Sequence, residues 1–139
     1  MKFLHTMVRV SDLEKSLDFY INQLGLIETK RVDVPEGKFT LIYLATALGE
    51  PEIELTHNWG STEDYNGGRN FGHIAFAVDN IYQLCQKLMD SGVVINRPPR
   101  CGHMAFIKSP DGISVELLQT GEALAPQEPW LSMENQGSW

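Results

Sequence analysis

Four side chains able to hold a metal or move a proton sit in this sequence amid residues that want to be buried. His5 interrupts the strand-like run FLHTMVRV (3–10), and His73 interrupts FGHIAF (71–76). Glu54 lies in EIEL (52–55) and Glu116 in SVEL (114–117). Taken singly, each has a bland explanation. A histidine within a strand is more often a hydrogen-bonded structural residue, and a strand glutamate more often faces solvent. Gathered together, two imidazoles and two carboxylates make a hard-to-borderline N₂O₂ donor set. It suits Ni²⁺, Co²⁺, Zn²⁺, Fe²⁺ or Mn²⁺ rather than a soft thiolate metal, and it leaves an octahedral ion two positions for water or substrate. Burying four unpaired titratable groups is costly, and a divalent cation offsets that cost.

The elements that must position these residues are legible as a repeat. Residues 10–26, VSDLEKSLDFYINQLGL, place Leu13, Leu17, Tyr20, Ile21 and Leu24 at helical spacing. Ser11 or Asp12 caps the start and Gly25 ends it. Residues 79–93 repeat the plan with Ile81, Leu84, Cys85, Leu88 and Met89, a cap at Asp79 or Asn80, and Gly92. A short strand precedes each helix: LHTMVRV before the first, GHIAFAV before the second. Three strand-like runs follow each, near 27–33, 39–45 and 52–57, then near 94–97, 103–108 and 113–118, the last two joined by the turn sequence SPDG (109–112).

The chain therefore reads as two tandem βαβββ modules, 1–66 and 67–120, an α+β fold of curled sheets. Superposing the first strands puts His5 on His73; superposing the last puts Glu54 on Glu116. In a curled βαβββ unit the first and last strands both line the concave face, so the four side chains can converge. Residues 121–139 follow, rich in Pro, Gly and Ser but holding Trp130 and Trp139. Two tryptophans predict that this segment packs on the body or on a neighbouring subunit. His57 and His103 have no partner in the repeat and adjoin turn-like sequence, so they read as surface residues or as supports for a site, not as ligands.

Bulk properties bound the rest. A length of 139 residues suits one compact domain or two small fused halves. A net charge of −7 argues against a nucleic-acid or anionic-membrane surface. No apolar run approaches a spanning helix, and MKFLHTMVRVSDLEK meets polar residues too early for a signal peptide. Cys85 and Cys101 are in no metal-ligand spacing and read as reduced thiols of a cytoplasmic protein.

LHTMVRV, IELTHNWG, FGHIAFAVD and SPDGISVELL resemble the hallmark segments of the glyoxalase I (lactoylglutathione lyase) family, within the vicinal-oxygen-chelate superfamily. The resemblance covers nearly all of residues 1–120 and includes all four ligand positions in their strand contexts. It implies paired βαβββ modules in a homodimer with sites at the interface, His5 and Glu54 coming from one chain and His73 and Glu116 from the other. It implies one divalent metal per site, no organic cofactor, and isomerisation of the methylglyoxal–glutathione hemithioacetal to S-lactoylglutathione through a metal-stabilised ene-diolate. Glu116 matches the principal base and Glu54 its partner, able to serve the other substrate epimer. Arg9 and Asn58 match positions that grip the γ-glutamyl end of glutathione, and Arg69 one that contacts it from the other subunit. Arg100 lies where a basic residue meets the glycine carboxylate, with Arg97 as its substitute. The chain resembles the short bacterial members, which favours Ni²⁺ or Co²⁺, whereas RNFGH (69–73) is closer to the zinc type.

Two rival readings follow from the same residues. One is another metalloenzyme of the superfamily: a ring-cleaving dioxygenase, an acyl-CoA epimerase or an antibiotic-inactivating thiol transferase. A fourth protein ligand, Glu54, and the pair Arg9 with Asn58 weigh against these. The other is a metal-free protein of the same fold that sequesters a small toxic molecule, against which four buried metal-type residues argue.

Overall fold

The structure, a computed structural model, describes all 139 residues. It divides into two compact units, Met1–Asn66 and Gly67–Trp139. The first holds strand β1 (His5–Arg9), helix α1 (Leu13–Leu17), and strands β2 (Ile27–Val34), β3 (Phe39–Ala45) and β4 (Glu52–Asn58). The second holds β5 (His73–Val78), α2 (Ile81–Asp90), β6 (Ile95–Arg97), β7 (Met104–Lys108) and β8 (Ser114–Gln119). Their sheets have the same topology, β1-β4-β3-β2 and β5-β8-β7-β6. The helical crossover returns the chain so that the first strand lies parallel to the last, and the other pairs are antiparallel. No helix is long and apolar enough to cross a membrane.

Alternation decides which side chains point where. On β4, Ile53 and Leu55 are buried while Glu54 between them is not. On β1, Val8 goes into the core, as does Val10 just after it, leaving His5, Met7 and Arg9 on the open face. The second unit repeats this with Val115 and Leu117 flanking Glu116. Helix α2 packs against β6, β7 and β8, burying Ile81, Cys85 and Leu88.

The ends of the helices settle alternatives left open by the sequence. Asp12, not Ser11, caps the first, accepting from the Lys15 N–H at 3.1 Å, and Asn80, not Asp79, caps the second, accepting from Gln83 at 3.0 Å. Gly25 and Gly92, at φ of +85° and +87°, occupy the left-handed region just past each helix. The helix expected over 10–26 is not uniformly α. After α1 the chain widens into a π-helical stretch, Asp18–Gln23. Asp18 stabilises the wider turn by accepting from Asn22 at 2.8 Å and from Gln23 at 3.3 Å, four and five residues on. Phe19 and Tyr20 within it are buried.

Segment 121–139 packs on the second unit. Trp130 is 2% exposed and stacks on Tyr82, with ring centroids 6.4 Å apart and 14° between planes. Gln136 and Asn96 exchange two hydrogen bonds, of 2.8 and 2.9 Å. Gly102 lets the segment approach: a Cβ there would sit 1.9 Å from the Leu124 carbonyl oxygen. Trp130→Ala empties a buried ring site, and we expect it to lower the stability of this unit by about 3 kcal/mol, seen as an earlier urea midpoint. An unchanged midpoint would mean the segment adds nothing to the core.

Candidate metal centre

The repeated strands bring the four candidate ligands together as two pairs, one in each unit. His5 Nε2 lies 2.9 Å from Glu54 Oε2, and His73 Nε2 lies 3.0 Å from Glu116 Oε2. The pairs match in exposure too: the imidazoles are 39% and 44% accessible, the carboxylates 13% and 14%. Nowhere do three or more His, Cys, Asp or Glu side chains gather. Each unit thus offers two donors, half of a four-ligand set.

The donor spacing fits a metal. Two neighbouring ligands about 2.1 Å from an octahedral ion lie about 3.0 Å apart. Each nitrogen–oxygen pair stands at that separation, which is also the length of an imidazole–carboxylate hydrogen bond. His5 and Glu54, with His73 and Glu116, are the residues that would hold a divalent ion.

Strand register explains how the pairs arise. His5 is aligned with Glu52 and His73 with Ser114, and the carboxylate that each imidazole meets comes two residues further along the neighbouring strand, on the same face. Glu52 is engaged elsewhere, accepting from the Thr29 hydroxyl.

An aromatic ring supports each pair. Tyr43 is aligned across the sheet with Glu54, and Phe106 with Glu116. Tyr43 meets the His5 ring edge-on, centroids 5.8 Å apart at 77°, and Phe106 meets His73 at 5.4 Å and 85°. The reading of the sequence missed these rings. Their signal was an aromatic in the third strand of each module, in FTLIYLA and MAFIK. The rings are not equivalent. Desolvation raises the Tyr43 phenol above its usual range, and the charge of Glu54 and a hydrogen bond to it push the same way.

The other residues fall into distinct surroundings. Arg9 shares the open face of β1 with His5, and Asn58 closes β4. Arg69 lies exposed in the connection before β5, and neither Arg9 nor Arg69 enters a salt bridge. Arg100 donates to the Met133 carbonyl at 2.7 Å and to Asn135 Oδ1 at 2.8 Å, and Arg97 donates to the Met104 carbonyl at 2.8 Å. Both guanidinium groups offered as a carboxylate clamp therefore already hold the chain's own oxygens. His57 Nδ1 stands 3.3 Å from the Val10 carbonyl, and His103 is exposed. A cleft of about 290 Å³ borders His5, lined also by Phe3, Leu4, Thr29 and Leu48. Both cysteines are free, Cys85 buried and Cys101 exposed; burial pushes the Cys85 thiol up to about 12.

A repeated βαβββ fold with a His–Glu pair on each open face defines a class. Residues 2–117 match the Glyoxalase/Bleomycin resistance protein/Dioxygenase superfamily, and the chain belongs to that family. Within it, the chain is 45% identical over 127 residues to a probable lactoylglutathione lyase of Synechocystis, covering 86% of this chain and 96% of that protein. It is 44% identical over 126 residues to the lactoylglutathione lyase of Neisseria meningitidis, covering 86% and 91%. Among solved structures, the trypanothione-dependent glyoxalase I of Leishmania major superposes with a TM-score of 0.81 at 38% identity, over 86% of each chain.

Proposed function

We propose that this chain is a divalent-metal-dependent glyoxalase I that converts the hemithioacetal of methylglyoxal and glutathione to S-lactoylglutathione. The observation that carries the proposal is the matched pair of His–Glu contacts at 2.9 and 3.0 Å, at the spacing of neighbouring metal ligands. The names and near-complete coverage of the bacterial relatives support the choice of reaction. The two half-sets are joined between the copies of a homodimer, His5 and Glu54 from one and His73 and Glu116 from the other. Ni²⁺ or Co²⁺ is the favoured ion, with Zn²⁺ as a weaker occupant. Two free thiols suit a reducing cytoplasm.

A bound divalent ion supplies Lewis acidity toward the two adjacent oxygens of the substrate. The chain's residues do the rest. Glu116 takes the C–H proton from one substrate carbon and returns it to the neighbouring one, so no redox change occurs. Its low exposure keeps bulk water from exchanging that proton freely. Glu54 occupies the equivalent place for the other epimer. Arg9, Asn58 and Arg69 bind the carboxylates and amides of glutathione, for which a guanidinium is well shaped. Arg100 joins them only by giving up its bonds to Met133 and Asn135.

Arg9→Ala should raise KM for the hemithioacetal about tenfold or more while leaving kcat within about twofold, because a charge-assisted contact made equally in ground and transition states is lost. Steady-state kinetics read this directly, and an unchanged KM places the clamp elsewhere. The function itself is tested on metal-free protein given methylglyoxal and glutathione, with thioester absorbance followed as Ni²⁺, Co²⁺ and Zn²⁺ are added in turn. Activity absent before and restored after addition is expected. Failure of every ion to produce the thioester overturns the proposal.

A further inference from the structure

The two modules repeat one another closely around their His–Glu pairs, and one difference stands out. The ring beside Glu54 belongs to a tyrosine, and the ring beside Glu116 to a phenylalanine. The tyrosine is held firmly. Its ring packs T-shaped with that of His5, and the Lys30 ammonium lies 5.6 Å from its ring centroid. From the same strand position, Phe106 offers Glu116 an apolar ring that also touches Trp139, at 6.2 Å.

We propose that the Tyr43 hydroxyl is a positioning group that holds Glu54 in place and leaves Glu116 as the freer of two otherwise equivalent carboxylates. This deepens the isomerase reading above and rests on it. A tyrosine phenol is a donor at neutral pH, and the register sets Tyr43 directly across from Glu54 in the antiparallel pair of β3 and β4. A carboxylate oxygen that accepts a fixed hydrogen bond has fewer lone pairs for an incoming substrate proton and less freedom to swing toward it. Glu116 has no such donor at the equivalent strand position. The proton of the main route therefore goes to Glu116, and Glu54 serves chiefly as a ligand.

Tyr43→Phe removes only the hydroxyl and makes the two modules alike. Nickel binding to metal-free protein, measured by chelator competition, should weaken about tenfold, as when an outer hydrogen bond to a ligand is lost. In the Glu116→Gln background, where Glu54 alone remains as base, adding Tyr43→Phe should raise residual turnover at least about threefold. In the Glu54→Gln background the same change should have a clearly smaller effect, which is a coupling specific to Glu54. Equal effects in the two backgrounds, with nickel affinity unchanged, overturn the proposal. If even the unaltered protein fails to isomerise the adduct, the functional reading falls, and the nickel titration still decides whether Tyr43 holds Glu54.

Discussion

Replacing Glu116 by glutamine should cut isomerase turnover by about 10²- to 10⁴-fold without disturbing the fold. The amide has nearly the shape of the carboxylate, and position 116 keeps a polar side chain between the buried Val115 and Leu117. It cannot take a proton from carbon at neutral pH. The contact to His73 Nε2 at 3.0 Å can persist with the amide oxygen, so the imidazole should stay in place. Thioester formation at saturating substrate gives the loss in kcat, and circular dichroism with the melting temperature reports the fold. Full activity in the variant would remove Glu116 from the role of base. A collapse of the melting temperature together with activity would make it a structural residue instead.

The second large effect concerns how the two half-sets meet. Under the proposed homodimer, His5→Ala damages the first-module half of every site, and Glu116→Gln the second-module half. Each variant alone should be nearly inactive. Unfolded together and refolded, they should regain about a quarter of the activity of the unaltered protein. Random pairing makes about half the dimers mixed, and in each mixed dimer both lesions fall in one site and leave the other whole. Mixed activity that stays at the sum of the separate variants would mean each site is built within one chain. Because the comparison is between zero and a sizeable fraction, modest losses on refolding do not obscure it.

Much of this was legible in the sequence because alternation and repetition are local properties. The period-two pattern in EIEL and SVEL assigns their glutamates to one face and their aliphatic neighbours to the other, and the buried Ile53, Leu55, Val115 and Leu117 follow that assignment. The two four-stranded sheets follow from the repeat of one strand, one helix and three strands. The first helix was harder. Apolar spacing over 10–26 suits an α-helix, whereas the Leu24 N–H bonds the Phe19 carbonyl five residues back and the Asp18 carboxylate reaches residues both four and five ahead, as a π-helical turn requires.

What the sequence determined by itself, then, is which side of a sheet each residue takes and which residues correspond between the modules. That is enough to nominate His5, Glu54, His73 and Glu116. The tertiary structure alone decided who touches whom. His5 is aligned with Glu52 but contacts Glu54, while Glu52 goes to Thr29. Arg100 is held by Met133 and Asn135, more than thirty residues away in sequence. Tyr43 stands beside Glu54, whereas a phenylalanine stands beside Glu116. Each of these depends on the register between strands distant in the chain, which is set by the packing of the whole sheet and by irregularities such as the one between Glu28 and Lys30. A local pattern of polar and apolar residues carries the face of a strand, but not its slide along a neighbour.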